Sequence, residues 1–182
     1  MMHGDVFPKA TIPKPMLTKL DISDFTISLE KTELKAVQAR FGGEIGHEGD
    51  ASEYLAWLCL HGGDAAEHWV LWLESGETDG PTVGAFQWRR VSSTAQFDTR
   101  CRELPDWDSK VKLPIELRLG GRETKVLEVL GQPSFRKGDT LIYEHEHDEP
   151  IHGEPYTFTN RVIVALRRGM VWAIDVDKST LN

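Results

Sequence analysis

The chain reads TELKAVQARFGGEIGHEGDASEY at Thr32–Tyr54 and GRETKVLEVLGQPSFRKGDTLIY at Gly121–Tyr143, and the two stretches align without a gap at a constant spacing of 89 residues. The identical pairs are Val37/Val126, Gly42/Gly131, Gly49/Gly138, Asp50/Asp139 and Tyr54/Tyr143. Self-similarity at a fixed period is typical of chains built from repeated structural units. The sequence therefore predicts a duplication. It gives stronger evidence for the architecture of the chain than for any activity.

Each copy has the pattern of a short helix. The apolar residues of the first recur at helical spacing, and they are Leu34, Val37 and Phe41. Thr32 is its predicted N-cap and Gly42 its predicted end. The apolar side of the second consists of Val126, Leu127, Val129 and Leu130. Gly131 ends that helix, and Pro133 prevents its continuation. Because helices of about three turns are not stable alone, each needs a sheet to cover.

Strands are predicted downstream of each helix, where aromatic and β-branched residues are frequent. The predicted strands are Tyr54–Leu60, His68–Glu74 and Val83–Val91 in the first half, and Thr140–His147, Tyr156–Arg167 and Met170–Val176 in the second. Arg168 and Gly169 predict a tight hairpin turn. The fold class is therefore α+β, with two tandem repeats that each pack a short helical segment on a three- to four-stranded antiparallel sheet. The predicted parts are an extended N-terminal arm (1–22), the first repeat (23–92), a linker (93–112) and the second repeat (113–182).

The composition limits the classes of partner. With 21 basic and 29 acidic residues, the net charge of −8 disfavours nucleic acid, which requires a concentrated cationic surface, and suits a basic protein. No apolar run reaches the roughly 18 residues that span a bilayer, so no transmembrane segment is predicted. Met1–Asp5 lack the apolar region of a secretion signal. We therefore expect a cytoplasmic location at face value, and a periplasmic one if an export signal has been removed.

The two cysteines are too few for a disulfide framework. Cys59 lies in an apolar, strand-like run, so a buried free thiol is its expected state. A bridge between Cys59 and Cys101 is the alternative in an oxidising compartment.

Tryptophan is the basis of the predicted interaction surface. Trp69 and Trp72 are three residues apart on one strand, so their side chains must point to opposite faces of the sheet. A helix on one side leaves the other side uncovered, and exposed aromatic patches mark interfaces. The predicted partner-binding residues are Trp57, Trp69, Trp72, Phe86 and Trp88, with Arg89, Arg90 and Glu74 at the rim. The alternative is that the tryptophans are buried between the two halves.

A second candidate site is the histidine cluster. On a strand, His145 and His147 share a face, where both imidazoles could reach one divalent metal such as zinc, nickel or copper. His152 is a third candidate ligand. A solvated hairpin end with Pro150 and Gly153 explains the same residues.

No catalytic motif of comparable strength is present. His47 and Glu48 could form an acid–base pair. The second copy keeps the following Gly-Asp but replaces both residues with Arg136 and Lys137, which favours a turn. The sequence contains no nucleophile elbow, phosphate loop or dinucleotide fingerprint, so we predict a non-enzymatic protein without a required cofactor.

A helix that ends in apolar-Gly, a loop with Gly-Asp and a meander of aromatic strands together form a recognisable unit. The residues that carry it are Thr124–Pro133, Gly138-Asp139 and Tyr143, with a weaker echo at Leu34–Tyr54. This unit resembles that of the β-lactamase inhibitor protein family and of the BamE-like outer-membrane assembly lipoproteins. The resemblance to the inhibitor family implies two tandem units with a concave aromatic and polar surface that grips another protein.

The leading hypothesis is thus a protein-binding module of the inhibitor or immunity type. The first alternative is an envelope assembly or maintenance factor resembling BamE. The second alternative is a metal-binding protein that uses the cluster from His145 to His152.

Overall fold

The computed structural model of the chain describes residues 17–49, 54–63, 68–76, 79–92, 99–105 and 110–181. Two helices and an extensive antiparallel sheet form within these ranges, so the prediction of an α+β fold with an antiparallel sheet is confirmed. Of the predicted arm and linker, residues 1–16, 93–98 and 106–109 lie outside the described residues, as does Asp50 of the repeat. Neither described helix has the length and apolar character to cross a bilayer.

A small antiparallel sheet is formed by β1 (Lys19–Ile22), β2 (Phe25–Ser28) and β8 (Val111–Lys112), with β1 in the middle. The sequence predicts residues 19–22 as part of the extended arm and residues 111–112 as part of the linker, so these assignments are wrong. These residues form strands because alternate apolar side chains, such as Leu20 and Ile22, are fully buried. This sheet therefore belongs to the hydrophobic core.

The two helices, α1 (Leu34–Phe41) and α2 (Glu123–Leu130), end at Gly42 and Gly131, as predicted. Both glycines have a positive φ, 77° and 79°, which L side chains rarely adopt. The prediction of Thr32 as an N-cap is wrong, since Glu33 occupies that position without a side-chain cap bond. Thr32 instead accepts a hydrogen bond at Oγ1 from the backbone N of Ser28, at 3.0 Å.

The large sheet is continuous across both halves of the chain. Its path is β3 (Ile45–Glu48), β4 (Leu55–Gly63), β5 (His68–Gly76), β6 (Ala85–Val91), β12 (Met170–Leu181), β11 (Glu154–Arg167), β10 (Thr140–Ile151) and β9 (Phe135–Lys137). A short β7 (Arg102–Glu103) pairs in parallel with β4. The central pair, β6 with β12, joins the two halves into one sheet, whereas the sequence predicts one sheet per repeat.

The two helices are attached to this sheet through the same backbone contacts. The N–H groups of Leu34 and Glu123 donate to the carbonyls of Pro81 and Gly169, at 3.1 and 3.0 Å. The matching pair of bonds, both 2.8 Å long, runs from Val83 to Thr32 and from Val171 to Gly121. Along the large sheet, the strands of the first half follow one another in chain order, from β3 to β6. The strands of the second half follow in reverse chain order, from β12 to β9. Each helix thus begins beside the last strand of its own half.

The hydrophobic core lies on the face of the large sheet that the helices and the small sheet cover. A row of directly paired residues crosses six strands on this face, and it is Leu58, Leu73, Phe86, Val176, Val162 and Tyr143. Every member has at most 2% of its surface exposed. Burial of this row on both sides of the β6–β12 pair makes the two halves share one core.

A disulfide bond links Cys59 to Cys101 across 42 positions of sequence, so the expectation of a free thiol is wrong. Both residues are buried, and with Val70 they form a small cluster on the sheet face away from the main core, against Trp72 and Val91. The bond forms because β7 pairs with β4 immediately beside Cys59, which brings the two Cα atoms to 4.4 Å.

Candidate interaction surface

The face of the large sheet opposite the helices carries tryptophans and a band of charged residues. Residues paired directly across strands point to the same face. One row here is Trp57, Glu74, Ala85, Asp177, Arg161 and Glu144, and the next is Cys59, Trp72, Gln87, Asp175, Ile163 and Ile142. We call these two rows, together with Arg89 from the adjoining row, the tryptophan face. It spans β4 to β10 and therefore both halves of the chain.

The structure divides the predicted partner-binding residues between the two faces. Four lie on the tryptophan face, namely Trp57, Trp72, Glu74 and Arg89. Three must be corrected, since Trp69, Phe86 and Trp88 lie in the hydrophobic core with 5%, 0% and 5% of their surface exposed. The remaining one, Arg90, sits at the end of β6 in a separate hollow. Alternation along β5 separates Trp69 from Trp72 as predicted.

A chain of polar contacts crosses the first part of the face. Gln87 Nε2 donates to Glu74 Oε1 at 2.8 Å, and Arg89 Nη2 donates to Gln87 Oε1 at 2.6 Å. The same Arg89 nitrogen lies 3.5 Å from Asp175 Oδ2. These bonds hold two carboxylates and a guanidinium in fixed positions beside Trp72.

A second polar group follows on β10, β11 and β12. Arg161 Nη2 donates to Glu144 Oε1 at 3.0 Å, and Asp177 lies directly across from Arg161 in the row. Three buried polar atoms of the face have no hydrogen-bond partner within the described part of the chain: Arg89 Nε, Arg161 Nε and Asp175 Oδ1.

Burial raises the pKa of three acidic residues of this face. It raises the pKa of Glu74, and the nearby charge of Asp175 raises it further. Burial also raises the pKa of Asp175 and of Asp177. The face holds four carboxylates, those three and Glu144, against the two guanidinium groups of Arg89 and Arg161. Acidic side chains outnumber basic ones here even when Arg100, which lies over Trp57, is counted, so the face complements cationic groups.

The two tryptophans at one end of the face are half-buried. The guanidinium of Arg100 lies over the Trp57 ring, 5.3 Å from its centroid. Trp72 packs against the cluster formed by the disulfide and Val70. Both rings therefore rest on fixed neighbours, which limits the side-chain entropy that they would lose on binding.

The candidate metal site is only partly assembled. His145 Nε2 lies 3.1 Å from His147 Nδ1, and the His147 ring stacks on Phe158 at a centroid distance of 4.9 Å. His152 occupies the turn between β10 and β11 with a φ of 54°, about 16 Å along the strand from His147 at ordinary strand rise. Across the described ranges no three or more His, Cys, Asp or Glu residues are grouped so that they could hold a metal ion.

The other candidate pair, His47 and Glu48, lies on the short strand β3, and both side chains are exposed. The His47 ring stacks on Tyr54 at a centroid distance of 6.5 Å. Gly49 follows with a φ of 82°, and its counterpart Gly138 has a φ of 57°, so both positions adopt turn conformations as predicted.

Sequence reasoning did not identify most of the polar residues of the tryptophan face. The missed residues are Gln87, Glu144, Arg161, Asp175 and Asp177. Their signal is the alternation of charged and apolar residues in β11 and β12, for example Ile174-Asp175-Val176-Asp177. This pattern indicates a strand with one apolar and one polar face.

Comparison of the chain with protein-family models, with curated proteins and with solved structures finds no match. The assignment of a function therefore depends on the geometry of this surface.

Proposed function

We propose that this protein is a non-enzymatic protein-binding module, of the inhibitor or immunity type, that binds its partner through the tryptophan face. The observation that carries the proposal is the row from Trp57 to Glu144, in which aromatic and charged side chains cross six strands on the side without helices. Tryptophan and arginine are enriched at the energetic centres of interfaces.

Electrostatics supports a cationic partner. The acids of the face are held partly desolvated, and burial raises the pKa values of Glu74, Asp175 and Asp177. Charges retained in such positions destabilise the fold, which natural proteins tolerate where function requires them. The net charge of −8 adds long-range attraction for a basic protein.

We also propose that the chain arose by duplication of a helix-and-meander unit. The support is the matched sequence at a spacing of 89 residues, the equal backbone angles at Gly42 and Gly131, and the equivalent helix–strand hydrogen bonds. Joining two such units edge to edge through β6 and β12 produces a longer face than either unit has alone.

The disulfide favours a second candidate function. Bonds such as Cys59–Cys101 persist in oxidising compartments, including the bacterial periplasm. An envelope assembly or maintenance factor, the function implied by the resemblance to BamE, would work in that compartment. Both candidates bind a protein, and they differ in whether the partner is inhibited or assembled.

Site-specific photo-crosslinking in cells tests the binding face. A photoreactive residue at Trp57 should capture one dominant partner, because this position lies on the tryptophan face. The matched position is Lys35, which is exposed on α1, on the opposite side of the sheet. Adducts at Lys35 without adducts at Trp57 would reject the proposed face. An adduct that consists of an envelope component would favour the second candidate.

A further inference from the structure

The end of the sheet at the β11–β12 hairpin differs in charge from the rest of the protein. The turn residues Arg168 and Gly169 have φ angles of 55° and 73°, as a two-residue hairpin requires. Immediately after the turn, Leu166 pairs with Val171 and Ala165 pairs with Ala173, so Trp172 is the extra residue of a β-bulge. Bulges re-aim side chains and are frequent at functional sites.

Three arginines surround Trp172. A hollow of about 250 Å³ is lined by Arg90, Arg167, Arg168, Met170, Val171 and Trp172. The guanidinium of Arg167 lies 4.9 Å from the centroid of the Trp172 ring, which fixes a cation against an aromatic surface. The hollow thus offers positive charge and an apolar wall together.

A larger hollow, of about 970 Å³, also has Met170 in its wall. Its wall contains the apolar residues Leu113 and Ile115, and its basic residues are Lys112, Arg118, Arg122 and Lys125. Met170 lines both hollows, and its backbone pairs with that of Arg122, so the two hollows adjoin. Met170 itself is a large apolar residue with 38% of its surface exposed.

Basic residues outnumber acidic ones at this end of the sheet. The two hollows have seven basic residues in their walls and only two acidic ones, Glu116 and Glu128. Both acids pair with a single residue, Lys125. Within the described chain, Arg118, Arg122, Arg167 and Arg168 form no ion pair. This end is therefore a local concentration of positive charge on a protein whose net charge is −8.

We propose that this arginine end, defined as the two hollows around Met170, is a second docking site and that it binds an acidic segment of another protein with an apolar side chain at its centre. Charge complementarity sets the sign of the ligand, and the apolar walls beside Met170 and Trp172 accept the central side chain. The site goes beyond the proposed function, because it lies at the sheet end and attracts the opposite charge from the tryptophan face.

The test uses the full chain and a labelled synthetic peptide in which glutamates flank a central leucine and phenylalanine. Fluorescence anisotropy should show saturable binding that weakens as salt rises, since exposed ion pairs are screened. The double variant Arg167→Gln/Arg168→Asn, in which asparagine tolerates the positive φ, should weaken binding about tenfold. The separate pair Arg118→Gln/Arg122→Gln should have an effect of similar size.

The matched control is Lys31→Gln/Lys35→Gln, which removes two exposed charges near α1. It should change the dissociation constant by less than about twofold, since distant exposed charges are screened. Trp57→Ala should also leave peptide binding unchanged, so this test is independent of the one for the tryptophan face.

Several results would overturn the proposal. They are absence of peptide binding at low salt, equal loss in the control and arginine variants, and equal binding of a peptide with lysine in place of glutamate. Binding of single-stranded DNA or of phosphatidylglycerol vesicles, with no binding of the acidic peptide, would assign this end to another class of ligand. Circular dichroism of each variant shows whether it is folded.

Discussion

The two faces of the large sheet are made by the same strands and have opposite character. On the core face, the row from Leu58 to Tyr143 is apolar and at most 2% exposed. On the tryptophan face, the row from Trp57 to Glu144 is mostly polar, and all of its members except the buried Glu144 are half-buried. Because side chains alternate along a strand, one sequence can specify both rows. The core face buries most of the apolar side chains, and the tryptophan face is the one that we propose for recognition.

The largest expected effect compares two tryptophans from opposite faces. Trp88→Ala should lower the free energy of unfolding by about 3–5 kcal/mol, because it leaves a cavity in the core. Trp57→Ala should lower it by about 1 kcal/mol or less, since its ring is partly in solvent. Urea unfolding of both variants measures the difference. Equal losses would mean that the two faces are equally packed.

The next largest expected loss of stability comes from removing the disulfide, which lies at the edge of the tryptophan face. The double variant Cys59→Ser/Cys101→Ser should lower the free energy of unfolding by about 3–4 kcal/mol, the value expected for a loop of this length. Dithiothreitol should reproduce this loss in the wild-type protein and leave the double variant unchanged. If the wild-type protein resists denaturant equally well with and without reductant, the bond contributes nothing to stability.

A polar residue on the core face provides a third comparison. Asn160 is 3% exposed, and its side-chain amide donates to the carbonyls of Leu17 and Asp177 at 2.8 and 2.9 Å. Its Oδ1 accepts from the backbone N of Leu17 at 3.3 Å. Asn160→Ala should therefore cost about 1–3 kcal/mol. It should also increase hydrogen exchange in β1, which follows Leu17. Unchanged exchange in β1 would show that this contact does not anchor the segment.

The smallest expected effect is a gain in stability, and it comes from a residue of the tryptophan face. Burial raises the pKa of Glu74 above its value in the unfolded chain, so the folded protein loses stability as pH rises through the interval between the two values. Glu74→Gln should remove this penalty and raise the melting temperature at pH 7 by up to about 2 °C. The gain should fade below about pH 4, where glutamate is protonated in both states. A melting temperature that falls at pH 7 would contradict this account of the face.

Much of the fold could be predicted from local pattern. The six predicted strands correspond to β4, β5, β6, β10, β11 and β12, and Gly42 and Gly131 end the helices as expected. The six short strands β1, β2, β3, β7, β8 and β9 were missed, because two to four residues carry no clear periodicity. The pairing of β6 with β12 was also missed, since it joins residues far apart in the chain.

The candidate site was harder to predict for a related reason. Alternation separates Trp69 from Trp72, but only the tertiary structure shows which of the two faces the helices cover. The repeated tyrosines illustrate the same point. Tyr143 is fully buried, its hydroxyl donates to the Gly131 carbonyl at 3.1 Å, and burial raises its pKa to about 12. Its counterpart Tyr54 is 42% exposed. Equivalent sequence positions therefore have different environments in the two halves.

The central claim is that the tryptophan face binds the partner protein. The most direct measurement is the affinity of the purified partner for Trp57→Ala and for Lys35→Ala, a matched variant on the helix side. We predict that Trp57→Ala weakens binding about thirtyfold, the effect of an interface hot spot, and that Lys35→Ala leaves it unchanged. Unchanged affinity in Trp57→Ala, together with weaker binding in Lys35→Ala, would contradict the claim.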